Sequence, residues 1–113
     1  MKKRRGLFTK EEARLAPKKF GIYFILANRS FSRLRGRTNI LYIGQAKTRT
    51  LFKRLTGRRN ALPRFELLKK NGFKLTFKYR VATSGLKARE METKELKAYQ
   101  RKHLELPPLN HSH

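Results

Sequence analysis

A chain of 113 residues with 38% hydrophobic content, including eight Phe and four Tyr, can fill one modest core but hardly two. Thirty Lys and Arg oppose seven acidic residues, all Glu, for a net charge of +23; such a density predicts binding to DNA, or to RNA, with steep salt dependence as counterions leave the phosphates. No stretch approaches the roughly 18 to 20 apolar residues of a membrane span, and the lack of cysteine excludes disulfides, thiolate nucleophiles and Cys-containing zinc sites, which fits an intracellular setting, cytoplasmic or nucleoid-associated.

In chain order, Met1 to Arg5 begins like a signal peptide, but charge returns at Lys10, Glu11 and Glu12 before an apolar segment develops. Residues 1–19 therefore read as a basic arm with a short helix, and residues 20–113 as the domain proper. Thr9 to Glu12 has capping-box spacing, which predicts a helix over about residues 9–16, ended by Pro17. Residues 20–27 are apolar at every position, as in a central strand covered on both faces. A polar, basic segment to Asn39 leads to a second apolar run, Ile40 to Gly44, able to pair antiparallel with the first.

The period then changes. Leu51, Phe52 and Leu55 predict a short helix, with Thr48 or Thr50 as its cap and Gly57 near its end. Leu62, Phe65 and Leu68 predict another, begun by Pro63 and stopped by Asn71-Gly72. Phe73 to Val81 alternates strictly, with Phe73, Leu75, Phe77, Tyr79 and Val81 on one face, and a longer helix follows from about Leu86 to His103. The expected fold class is α+β: a small three-stranded, largely antiparallel sheet flanked by helices.

On the last helix Ala88, Glu92, Leu96 and Tyr99 recur at steps of four, four and three, so Glu92 interrupts an apolar stripe. A carboxylate there needs a partner, either a functional one or an Arg at the core edge. Glu90 falls on roughly the opposite face, while Glu95 competes for the same role. With no Asp and few Glu, a symmetric two-metal site is excluded. One carboxylate suits a single hard cation, Mg2+ or Mn2+, that keeps several waters. His111 and His113 end the chain and read as a frayed tail, and His103 as a helix-end residue near the negative dipole.

Gly21-Ile22-Tyr23 in the first strand and Tyr42-Ile43-Gly44 in the second, in that order, resemble the two namesake motifs of the GIY-YIG nuclease family. The resemblance extends to Arg54 on the following helix, to Glu92, and to Pro107-Pro108-Leu109-Asn110, and covers about residues 20–110. It implies a metal-dependent DNA endonuclease. Tyr23 would be the general base and Tyr42 would position water or phosphate. Arg54 would hold the phosphate, Glu92 the metal, and Asn110 would tie the tail to the sheet beside Gly21 and Gly44. A free phenol titrates near pH 10, so base catalysis at neutral pH asks for a shift of about three units, to which nearby cations such as Lys47 would contribute. Arg49 and Arg58 are the substitutes for Arg54.

The segment between Tyr23 and Tyr42 is longer than usual in that family and carries Arg29, Arg33, Arg35 and Arg37. It reads as a basic loop that grips phosphates without reading bases, alongside Lys47, Arg49 and Arg58. No separate recognition domain fits in this length, so specificity falls to the loop, the arm or a partner protein. Cutting both strands would need two copies, hence a dimer on DNA. The competing expectation is a non-catalytic nucleic-acid-binding protein on the same scaffold.

Overall fold

The computed structural model describes residues 3–56 and 62–110. In chain order the elements are β1 (Lys3–Leu7), α1 (Lys10–Ala13), β2 (Gly21–Ser32), β3 (Arg37–Ala46), α2 (Leu51–Thr56), α3 (Leu62–Lys70), β4 (Leu75–Val81) and α4 (Gly85–His103). The fold is α+β, with one open antiparallel sheet of four strands in the order β1-β4-β2-β3. The expected sheet had three strands. The fourth comes from the basic segment read as an arm, whose Lys3 to Leu7 pair with Arg80 to Thr76 of β4.

The alternation of β2 divides the core. Tyr23, Ile25 and Ala27 join Phe8, Ala13, Ala16, Leu51, Leu55, Phe65 and the β4 residues Leu75, Phe77 and Tyr79 in one cluster. Ile22, Phe24 and Leu26 join Ile43 and Tyr99 in the other, with Met91 and Leu96 packed against it. Because neighbouring side chains on a strand point to opposite faces, α1 to α3 cover one face of the sheet and α4 the other. A strand apolar at every position is the local cause of this two-sided burial. Burial of the fully enclosed Ile22, Ile25, Ile43 and Leu51 contributes on the order of 2 kcal/mol each.

The β2–β3 pair shifts register twice. Ile25 pairs with Tyr42 but Leu26 pairs with Ile40, so Leu41 is the extra residue of a bulge, and both Leu41 and Tyr42 lie with the first cluster. The second shift falls between Leu26 and Phe31, after which Phe31 pairs with Thr38 and Ser32 with Arg37. The segment expected as a loop is thus largely strand, and only residues 33–36 turn the chain.

Caps and stops follow local chemistry. Thr9 Oγ1 accepts from Glu12 N at 3.2 Å, but the helix it starts ends at Ala13, shorter than expected. Thr50, rather than Thr48, accepts from Lys53 N at 3.3 Å. The first amides of α2 are satisfied from the N-terminal segment, Leu51 N by Lys19 O at 2.8 Å and Phe52 N by Pro17 O at 3.1 Å, donors a helix start otherwise leaves unpaired. Ser84 Oγ accepts from Lys87 N at 3.1 Å to begin α4. Gly72, at φ 90°, makes the turn after α3. The expected stop at Gly57 lies outside the described residues. Among the described residues no helix is long and apolar enough to cross a membrane.

Candidate functional site

Tyr23 is fixed first. It lies on β2 opposite Gly44 of β3 and Tyr79 of β4, and only 4% of it is exposed. Its ring lies 5.9 Å from that of Tyr42, centroid to centroid, tilted by 41°. The bare backbone of Gly44 permits this: a Cβ there would stand 2.6 Å from the Tyr23 hydroxyl oxygen, closer still to its Cζ, and 2.7 Å from Tyr42 Cε2. Gly21 serves packing instead, since a Cβ would strike Arg80 O and stand 3.0 Å from Leu51 Cδ1. Both motif glycines are therefore required by close approach, Gly44 to the two tyrosine rings and Gly21 to the backbone of β4 and Leu51.

Three of the expected residues act on the Tyr23 hydroxyl. Tyr42 hydrogen-bonds it, Arg54 of α2 acts on it as a nearby positive charge, and Glu92 of α4 acts on it as a negative one. Arg54 and Glu92 are both half-buried. They approach from helices on opposite faces of the sheet. Burial, the Tyr42 interaction and the Glu92 charge together push the Tyr23 phenol well above its ordinary range, and Arg54 alone pulls it down. The shift is opposite to the one that base catalysis asks for.

Glu95 is drawn elsewhere. It pairs with Arg80 of β4 at 2.8 Å, and Glu90 lies outward, 3.9 Å from Lys87. Glu92 is thus the α4 carboxylate that acts on Tyr23. Among the described residues no three His, Cys, Asp or Glu side chains gather as a metal-binding group. A half-buried carboxylate acting on the Tyr23 hydroxyl nevertheless fits one hard cation whose remaining ligands are water and phosphate.

Asn110 closes the outer edge of β3. Its Oδ1 accepts from Ile43 N at 2.9 Å and its Nδ2 donates to Ile43 O at 2.8 Å, while Leu109 N donates to Leu41 O at 3.0 Å. The tail therefore supplies the pairing that an edge strand lacks, one residue from each motif tyrosine's neighbour Gly44 or Tyr42 itself.

The arginines of the basic segment have partners within the fold. Arg33 pairs with Glu105 at 3.0 Å and donates to Leu106 O at 2.5 Å. Arg35 donates through Nε to Lys102 O at 2.9 Å, through Nη2 to Arg101 O, and through its amide to His103 O at 3.2 Å. These are the carbonyls that end α4, where Leu104 turns the chain at φ 64° without a glycine. Arg37 donates to Ser32 Oγ at 2.8 Å and to Ser30 O at 3.1 Å, and Arg29 stacks over Phe73 at 4.4 Å. Lys47 is half-buried and Arg49 exposed, both just after β3. Arg58, His111 and His113 lie outside the described residues. His103 is buried, its Nδ1 2.9 Å from Arg35 O and its ring 4.6 Å from that of Tyr99.

Two residues of this region carried no signal as single letters. The side-chain oxygen of Gln45, directly after the second motif, is buried with no hydrogen-bond partner among the described residues. Gly85 lets the start of α4 press on the carbonyl of Lys47; its place after the capping Ser84 was the available clue. Comparison with family models, with curated proteins and with solved structures returns no match to this chain.

Proposed function

We propose that the chain is a metal-dependent endonuclease of the GIY-YIG kind, hydrolysing phosphodiester bonds in DNA. The observation that supports this reading is the packing of Tyr23 and Tyr42, ring centroids 5.9 Å apart, against the bare backbone of Gly44, with the charges of Arg54 and Glu92 near enough to act on the Tyr23 phenol, in a chain of net charge +23. Glu92 would hold one Mg2+ or Mn2+. Such a cation, when bound, supplies Lewis-acid stabilisation of charge developing on the phosphate. Arg54 presents a planar guanidinium that can take two phosphate oxygens and offset the same charge. Tyr42 orients Tyr23 through their hydrogen bond.

Tyr23 keeps its proton at neutral pH, because burial outweighs the pull of Arg54. Its role in this reading is accordingly positional: the hydroxyl oxygen accepts a hydrogen bond from the attacking water and aims it at phosphorus. The new P–O bond forms as the leaving oxygen departs, and the water's proton passes to solvent. The expected role of general base would require the opposite shift of the phenol.

That same shift favours a second reading, a non-catalytic basic nucleic-acid-binding protein on this scaffold, in which Tyr23 is simply a core tyrosine. Incubation of the purified chain with supercoiled plasmid, and with single-stranded RNA, separates the two. Nicking that needs Mg2+ or Mn2+ and disappears in Glu92→Gln is the expected result. Intact plasmid and RNA at every metal concentration would leave only the binder.

A further inference from the structure

α4 sorts its charges by side. Of its three glutamates, Glu92 acts on Tyr23 and Glu95 pairs with Arg80, leaving only Glu90 outside. All six of its Lys and Arg, at positions 87, 89, 94, 97, 101 and 102, are exposed. At about 100° per residue, Lys87, Lys94 and Arg101 fall almost on one line, with Lys97 beside it. Arg89, Thr93, Lys94, Lys97 and Arg101 line a shallow groove there, entered beside Leu86 and flanked by Glu90.

The fold uses only part of this arrangement: Lys87 lies 3.9 Å from Glu90, and Arg101 and Lys102 sit in the last turn where cations suit the helix end. The apolar stripe of α4, with Ala88 and Tyr99 buried, is already spent on the sheet, and like charges at Lys94/Lys97 and Lys97/Arg101 repel along the helix surface, each costing a few tenths of a kcal/mol. An anion lying across the stripe would relieve that repulsion. From Lys87 to Arg101 the stripe runs about 21 Å, a length over which duplex DNA presents about a dozen negative charges. A lipid surface would need an apolar band to enter the acyl region, and in the groove only Leu86, 69% exposed, offers one.

We propose that the outer face of α4 is a second nucleic-acid surface, gripping the phosphate backbone on the side of the helix turned away from Tyr23. It rests on the nucleic-acid part of the reading above and not on catalysis. The surface is tested by binding of a short duplex DNA to the full chain in a chelator, so that no cleavage intervenes, across a salt series. The triple variant Lys94→Ala, Lys97→Ala, Arg101→Ala is compared with a charge-matched control, Arg14→Ala, Lys70→Ala, Lys74→Ala. Each phosphate contact contributes about 0.9 to the slope of log affinity against log salt. The α4 triple is expected to lower that slope by about 2 to 3 and the affinity at about 0.1 M salt at least tenfold, with an unchanged melting temperature and a smaller effect in the control. Equal slopes for wild type and triple, equal losses in triple and control, or a loss confined to anionic vesicles would overturn the surface. Absence of metal-dependent cleavage in wild type would instead sink the nuclease reading and leave the slope comparison standing.

Discussion

Gly44 carries the Tyr23 ring against its own backbone, so closely that a Cβ would stand 2.6 Å from the phenolic oxygen. The neighbours cannot yield cheaply, because Tyr23 is enclosed and Tyr42 closes the other side at 2.7 Å from that position. Gly44→Ala is expected to destabilise the protein by about 1–3 kcal/mol, as overpacking does, and to lower its melting temperature by roughly 4–8 °C per kcal/mol. Thermal denaturation followed by circular dichroism measures this. An unchanged melting temperature would mean that the two tyrosines move freely.

The upward shift of Tyr23 makes a prediction at alkaline pH. The unfolded phenol loses its proton near pH 10, while the folded one keeps it to higher pH. Above about pH 10 the unfolded state therefore binds fewer protons, and stability falls as pH rises, by up to about 1.4 kcal/mol per unit. Below that pH the contribution is fully present. Tyr99, also raised, mainly by burial, adds a fall of the same sign. Melts between pH 8 and the alkaline limit should show wild type losing stability faster than Tyr23→Phe. Parallel curves would contradict a buried neutral phenol.

Arg35 is expected to matter for stability rather than for nucleic-acid affinity. Its guanidinium serves two carbonyls at the end of α4, its amide serves a third that the substitution leaves in place, and hydrogen bonds from a charged donor are worth about 1.5–3 kcal/mol each net of water. Arg35→Ala should cost about 1–3 kcal/mol in a urea titration. Its affinity for duplex DNA should change less than twofold beyond the loss of one unit of charge. A large drop in affinity with no loss of stability would return Arg35 to the basic loop expected of the segment.

The contrast between these residues shows what local pattern could carry. Residues 20–27 and 73–81 declared themselves because a strand covered on both faces and one covered on a single face leave different apolar periods. β1 left none: Lys3-Arg4-Arg5-Gly6-Leu7 becomes a strand because β4 offers a free edge and Phe8 anchors the next residue in the core, a tertiary cause that outweighs propensity. Arg33 and Arg35 were unreadable for a related reason. A guanidinium binds a phosphate oxygen and a helix-terminal carbonyl by the same chemistry, and only the fold brings the end of α4 to the hairpin tip. That Tyr42, Arg54 and Glu92 act on the Tyr23 phenol accords with the residues the resemblance singled out, but the direction of the Tyr23 shift was not contained in it. It depends on how far burial desolvates the hydroxyl, a quantity that spacing does not contain.

Glu92 and Glu95 lie three residues apart on one helix and face different partners, which lets substitution separate chemistry from structure. Glu92→Gln keeps size and hydrogen bonding but removes the negative charge near Tyr23. The phenol should then titrate lower, and metal-dependent cleavage should fall by at least 100-fold, with duplex affinity unchanged or slightly higher. Glu95→Gln instead weakens the pair with Arg80, which is partly shielded on both sides, while keeping a hydrogen-bond acceptor, so its cost should be about 1 kcal/mol and cleavage should persist. Arg54→Ala completes the set. One phosphate contact among many changes affinity little, whereas on the proposed nuclease reading the same contact at the reacting phosphate would support the transition state, so cleavage should fall far more than binding. Plasmid cleavage rates beside anisotropy binding curves for the three variants decide the matter. Equal losses of cleavage and binding in Arg54→Ala, or full activity in Glu92→Gln, would remove this cluster as the place where the phosphodiester is cut.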